Sequence, residues 1–458
     1  ATFTADHVTL NGGRIYTVAN GSFFVGGGPS FTGNRGVTLG ASGGIFDTYG
    51  HANARSRINV SSRITGTGTL TKTGGGYLNL DSANDYSGGT LVSDGPAITD
   101  TSSFGAIQIG NYGGLGSGAL TFTHTGQINA LRFTNGGSLP NNITVPAGTT
   151  SITRIFEDAG RAATLTGLID GGASTGAKVR FDGGTITLTN TNTYQSDTLV
   201  NSGQLIVAGQ LPNSYVTVAP GGALGGQGTV KDLTLQEGST LLVGPTPLVS
   251  TLGADAISTG TGVGVLVLAP SSTPGSHTVD VLDYGTDPGG LIPDPANFNT
   301  TTYRSASFAD DSANHRITLS YTSDSLTWNT TDGTWDVATT ASWLENDNVF
   351  YQGDAVTFGN PAAASTVTLT WALAPSSITL NHTNNYLFGG TGSIVGGSLA
   401  KSGTGTLVMT NANSYAGGTT INGGMISLSS TATASGGNPG ALGTGPVTIN
   451  TSGTLKLW

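Results

Sequence analysis

The chain has no cysteine and only two methionines in 458 residues. Without thiols there is no disulfide framework, no thiolate metal site and no cysteine nucleophile, so stability has to come from packing and backbone hydrogen bonding. Charge is scarce as well: 9% of residues are Asp, Glu, Lys or Arg, and the net charge is −10. Scattered Lys and Arg under a negative balance argue against a nucleic-acid partner. The one tight basic group, Arg55, Arg57 and Arg63, reads as a solvated face. No apolar run reaches the roughly 18 residues of a membrane-spanning helix, and helix signals of any kind are nearly missing.

What is present is glycine, 74 residues of it, without the three-residue period of collagen. Thr, Val, Leu and Ile recur at alternate positions. Stretches such as HVTLNGG, YLNLDS, TITLTN, QLIVAG and PVTINTSG each read as a short strand bounded by Gly, Asn, Asp or Pro turn signals. This composition does not fit a disordered tail, which would need high net charge and few β-formers.

A unit of about twenty residues recurs. KTGGGYLNLDSANDYSGGTLV, from Lys72 to Val92, returns as KSGTGTLVMTNANSYAGGTTI from Lys401 to Ile421, and more faintly as RFDGGTITLTNTNTYQSDTLV from Arg180 to Val200. Strands this short, punctuated this often by glycine, fit a β-solenoid better than a sandwich: each coil stacks on the last, and backbone groups pair along the axis. Leu78, Leu80, Leu407 and Met409 are expected to point inward, with Asn79 and Val408 outward. Asn84, Asn192 and Asn413 stand two residues before Tyr86, Tyr194 and Tyr415. Asparagine tolerates left-handed backbone and can bond its own turn, so each is expected to mark a turn beside a packed aromatic, set against the alternative of a ligand site. Gly88, Gly89, Gly417 and Gly418 are expected to supply positive φ for the next corner; the middle copy has Ser196 and Asp197 there, so its turn must differ.

The repeat resembles the autotransporter-associated β-strand repeat, also called the passenger-associated transport repeat, on LTKTGGGYLNLDSANDYSGGT (Leu70–Thr90) and LAKSGTGTLVMTNANSYAGGT (Leu399–Thr419). LGSGALTF, LGTGPVTI and LTWNTTDGTWDVATTASW are similar to neighbouring segments of such passengers. The resemblance implies a right-handed parallel β-helix exported to the cell surface of a Gram-negative-type bacterium. It brings no catalytic residues and no cofactor, and the C-terminal translocator barrel such families carry is not in this sequence.

Three segments are expected: coils over 1–242, irregular coils or an antiparallel excursion over the proline-containing 243–325, and a second β-helix unit over 326–458. At roughly 20–25 residues per coil, the regular part would form a rod on the order of 80–100 Å long. Both ends, ATFTADHVTL and SGTLKLW, look like cuts through a longer pattern. They raise the expectation of head-to-tail stacking of the chain on itself, which would grow filaments.

Signals for chemistry are thin. The six histidines, at 7, 51, 124, 277, 315 and 382, keep no metal-ligand spacing, and no G-x-S-x-G elbow is present. Glu157-Asp158 beside Arg154 and Arg161, and Asp310-Asp311 near Arg304, are the carboxylate candidates for a polysaccharide-cleaving groove. Adjacent strand residues face opposite ways, however, so a neighbouring pair is not by itself a dyad. Trp328, Trp335 and Trp343, with Phe350 and Tyr351, concentrate aromatics in one restart segment. They are candidate glycan contacts, set against the alternative of a satellite core. The reading is a non-enzymatic, extracellular structural or adhesive protein whose partners are itself, surface glycans or a host or neighbouring cell surface. The competing reading is a polysaccharide-binding or polysaccharide-degrading β-helix.

Overall fold

The structure is a computed structural model. It describes residues 4–16, 35–48, 57–93, 105–123, 128–148, 151–173, 176–244, 248–250, 258–259, 262–284, 294–330, 332–345, 347–360, 363–428 and 440–457. His51, His124, Arg55, Pro245, Pro247, Pro288 and Pro293 lie outside them. Every regular element among the described residues is a strand, apart from a 3-10 turn at Pro295–Asn297. No helix there is long and apolar enough to cross a membrane.

The chain forms two compact units, residues 1–224 with 228–234, and residues 225–227 with 235–458. In the first, one stack of seven parallel strands runs Gly13–Tyr16, Gly44–Asp47, Leu70–Thr73, Thr90–Val92, Leu120–Phe122, Ile143–Val145 and Ile169–Gly171. A second parallel stack contains Arg57–Val60, Tyr77–Leu80, Gly105–Ile109, Ile128–Phe133, Ile152–Leu165 and Lys178–Leu188. From Ile64–Gly66 onward the chain climbs by visiting these stacks in turn, which makes the unit a parallel β-solenoid. Leu70 lies beside Thr90, but Gly13 lies beside Gly44, so coils range above the expected 20–25 residues.

Because side chains alternate across a strand, register places like beside like. Ile58, Leu78, Ile107, Leu131, Ile155 and Phe181 are successive register partners and all are buried. Burying a residue of this size stabilises by about 1.5–3 kcal/mol, so this one column outweighs any single surface interaction. The inward positions expected for Leu78, Leu80, Leu407 and Met409 are those observed.

In the second unit Gly275–Tyr284, Arg316–Ser323 and Arg304–Asp311 pair antiparallel. Parallel coils then restart with Ser325–Thr327, Ala355–Phe358, Ser377–Asn381, Leu399–Ser402, Thr419–Leu428 and Val447–Lys456. A second parallel face carries Gly333–Trp335, Ser365–Leu369, Tyr386–Gly390 and Thr406–Met409. The antiparallel excursion belongs to the same compact unit as the coils after it.

Candidate functional site

The repeat corner is built around its asparagine. Asn84 Oδ1 accepts the Ile64 N–H at 2.8 Å, and its Nδ2 donates to the Gly114 carbonyl at 2.6 Å. Asn413 does the same with the Ile394 N–H at 2.8 Å and the Ala441 carbonyl at 2.7 Å. Asn192 accepts the Ile169 N–H at 2.8 Å and donates to the Asn190 carbonyl at 3.1 Å. The accepted N–H lies 20, 19 or 23 residues back, one coil below. For Asn84 and Asn413 the carbonyl lies 30 or 28 residues on, in the coil above. Each of these two side chains therefore clamps three successive coils. The turn does not use left-handed backbone at the asparagine: the only non-glycine residues with positive φ among the described residues are Ser305, His315, Ala338 and Asn348. A buried backbone N–H at a solenoid corner needs a partner, and a short amide that both donates and accepts supplies it between coils.

The tyrosine two residues on closes the same corner from inside. Tyr86, Tyr194 and Tyr415 are buried and pair with Thr90, Thr198 and Thr419 hydroxyls at 2.5, 2.6 and 2.6 Å. Burial pushes the Tyr194 and Tyr415 phenols up to about 12. Tyr415→Phe removes one such bond and should destabilise by about 1 kcal/mol in urea unfolding, because Thr419 keeps the Leu442 carbonyl as acceptor. A loss above about 3 kcal/mol would show that the hydroxyl does more than this one pairing.

The paired glycines divide the work. Gly89 and Gly418 take positive φ, 78° and 86°. Gly88 and Gly417 do not, contrary to the expectation for both, and serve close approach instead: a Cβ would lie 2.4 Å from Gly68 C and from Gly397 O, respectively. In the middle copy Ser196 occupies the first position, and the coil below supplies the missing space with Gly172, where a Cβ would meet Ser196 Oγ at 2.3 Å.

Sequence reading missed the two lysines of the strong copies. Lys72 stands in register between Phe46 and Val92, and Lys401 between Leu380 and Ile421; both are fully buried in apolar columns. Their amines reach turn oxygens. Lys72 Nζ donates to Thr48 Oγ1 at 2.9 Å, the Thr73 carbonyl at 3.2 Å and the Gly74 carbonyl. Lys401 Nζ donates to the carbonyls of Ser402 at 2.5 Å, Gly423 at 3.3 Å and Gly403 at 3.4 Å. Burial pulls the Lys72 amine down to about 7, with Asp47 opposing, and that of Lys401 down to about 8. In the middle copy Arg180 takes this position but faces out, where Asp182 accepts from it and from Arg154 at 2.7 Å.

The carboxylate candidates do not converge on an open groove. Glu157 is 1% exposed, in register between Phe133 and Gly183. Its Oε1 accepts the Asp158 N–H at 2.9 Å and its Oε2 the Tyr112 hydroxyl at 3.3 Å. Burial raises it to about 7, but it is closed to a polymer substrate. Asp158 turns the other way onto Arg132 at 2.9 Å. Arg304 binds Asp347 and Asp354 rather than Asp310 or Asp311, which lie with Tyr284 and Arg316. Among the described residues no group of three or more His, Asp or Glu could hold a metal ion.

Of the two readings of the tryptophans, glycan contact or satellite core, the structure places them in the core. Trp335 is fully buried and Trp343 2% exposed, and Trp328 is buried as well. Trp335 packs its ring 5.5–6.1 Å from those of Phe350, Trp343, Phe358 and Phe388. The restart segment doubles back, Trp328 bridging antiparallel to Trp343, and its rings pack onto Phe358 and Phe388 of the parallel coils. Beside them lies a cavity of about 830 Å³ lined by Thr300, Thr301, Tyr303, Arg304, Ser305, Ala306, Ala338, Asp347 and Tyr351. The Arg304 guanidinium lies 4.6 Å from the Tyr351 ring centroid and donates to Asp347 at 2.8 Å, Asp354 at 3.0 Å and the Val349 carbonyl at 3.3 Å. Burial alone would raise both carboxyls; bonds from Arg304 hold Asp347 below the usual range, whereas buried Asp354 stays above it. Two lining residues take left-handed backbone without being glycine, Ser305 at φ 48° and Ala338 at φ 55°. Such a conformation costs roughly 1–2 kcal/mol per residue, in a chain that uses glycine freely elsewhere.

The fold and the repeat corner together define a parallel β-solenoid whose coils are clamped by asparagine. The passenger-associated-transport-repeat family matches residues 70–95, 181–207 and 399–428, so the chain carries three of these repeats. A stretch of 179 residues is 32% identical to the "Adhesin BmaC autotransporter" of Brucella suis biovar 1 (strain 1330), covering 38% of this chain and 5% of that protein. The chain thus spans about a twentieth of the length of that relative. No solved structure matches.

Proposed function

We propose that the chain is a non-catalytic, adhesive segment of a passenger displayed at the surface of a Gram-negative-type cell, wound as a right-handed coil. The observation that carries this reading is the use of the repeat residues: Asn, Thr and Lys bond from coil to coil, Tyr closes its own corner, and Gly allows the close approach. What varies is left to the faces and loops, where binding surfaces on rigid scaffolds concentrate. The aligned adhesin supports the same reading. Beads coated with the purified chain should adhere to cultured cells well above albumin-coated beads; equal adhesion would overturn it. Release of soluble products from a polysaccharide panel would favour the degrading alternative instead.

End-to-end stacking is a finer part of the proposal. Val447–Lys456 pairs by one edge with Thr419–Leu428 and exposes Val447 at 43% and Ile449 at 48%. A second copy would add its parallel strand Thr4–Leu10 there. Electron micrographs of the purified chain should show fibres; isolated particles at high protein concentration would remove stacking and leave adhesion standing.

A further inference from the structure

We propose that the cavity beside the restart loop is a binding site for a neutral saccharide. The inference deepens the adhesive function above and rests on that reading for where the sugar is met, on a cell surface. At about 830 Å³ the cavity is an open, shallow pocket whose size falls within the range of small-molecule sites.

Its lining selects among ligands. Ala306 and Ala338 are the only aliphatic residues, too few for a lipid or other apolar guest. A sulfate or phosphate is not favoured, because Arg304, the one lining cation, is already paired with Asp347 and Asp354. The lining carries one cation and one carboxylate, Arg304 and Asp347, and so has no net positive charge to draw an acidic sugar. What remains is polyol chemistry. The Thr300, Thr301 and Ser305 side chains offer hydroxyls, and a sugar hydroxyl, being donor and acceptor together, matches them. Thr301 gives its own proton to Asn299 Oδ1 at 2.7 Å and is left as an acceptor. The Tyr351 ring supplies an apolar face of the kind that packs against sugar C–H groups.

The site is also held in place before any ligand arrives. Arg304 is pinned by three hydrogen bonds and stacked on Tyr351. The left-handed Ala338 is tied across the loop by its N–H to the Phe350 carbonyl at 2.8 Å, above the packed tryptophans. Strained non-glycine backbone on two lining residues, Ser305 and Ala338, persists where the surroundings over-determine it, as they do at ligand sites.

The test is saturation-transfer NMR on the purified chain with glucose, galactose, mannose, N-acetylglucosamine and lactose as probes, and glucuronate as the acidic control. At least one neutral probe should give a signal and glucuronate should give less. Tyr351→Ala should weaken binding about tenfold or more. Ser305→Gly relieves strain while removing a hydroxyl, so affinity should fall while the melting temperature holds or rises, a combination a misfolded variant does not give. No signal from any neutral probe, or a stronger one from glucuronate, would overturn the inference, even if coated beads still adhere. Beads that fail to adhere while a sugar signal persists would sink the adhesive reading alone and leave the site standing.

Discussion

Replacing Asn413 by alanine is expected to destabilise the second unit by about 3 kcal/mol. Both bonds that the side chain makes across coils are buried, to the Ile394 N–H and the Ala441 carbonyl. Truncation leaves both backbone groups without a partner, and each such group costs about 1–3 kcal/mol. An exposed bond of the same chemistry provides the control: Asn450 Nδ2 donates to Asn422 Oδ1 at 2.7 Å, and Asn450→Ala should change stability by less than about 0.5 kcal/mol. Asn413→Asp keeps the acceptor for Ile394 but turns a carboxylate toward the Ala441 carbonyl. It should therefore equal or exceed the alanine variant at neutral pH and recover at low pH, where the protonated acid can donate. Urea unfolding reads the total, and hydrogen exchange at the Ile394 amide reads the local term, since stacked coils need not unfold as one. An Ile394 amide as protected in Asn413→Ala as in the parent would remove the clamp.

What the sequence made legible was whatever has a short period. Alternation placed Leu78, Leu80, Leu407 and Met409 inside, and three aligned copies located the corner at Asn84, Asn192 and Asn413. The bonds those asparagines make between coils were hidden because the partners lie 19 to 30 residues away, at a distance set by coil length and not by the motif. Coil length itself varies, because corners absorb insertions. Trp328, Trp335 and Trp343 were visible as a cluster, but which way the rings point depends on how residues 336–350 fold back, and no period encodes that. The cavity beside them escaped notice for the same reason: Arg304 and Tyr351 are 47 positions apart and meet only through an antiparallel excursion. The lysines were legible as well: Leu70 and Lys72 share a phase, so alternation alone puts Lys72 inside.

Raising the pH from 7 to 9 should make the chain more stable, by about 2 kcal/mol from Lys72 alone. The sign follows from where protons bind. In the unfolded chain a lysine titrates near 10.5, whereas burial lowers folded Lys72 to about 7. Between those values the unfolded state holds more protons, so stability climbs with pH by up to about 1.4 kcal/mol per unit. Below about 7 both states are protonated, and the full penalty for a buried ammonium is present and flat. Lys401, lowered to about 8, adds to the climb with the same sign. The trend opposes the one set by net charge, because a chain at −10 gains further self-repulsion as pH rises. Lys72→Met should lose most of the slope. Lys72→Arg, which stays protonated, should lie lowest and keep only the shallower climb that Lys401 sets. Denaturation midpoints at pH 7, 8 and 9 decide the matter. A parent that is flat or falling across this window would mean that the Thr48, Thr73 and Gly74 oxygens solvate the ammonium well enough to keep it charged in the core. The Lys-x-Gly turn would then be a cation cradle at neutral pH, not a holder for a neutral amine.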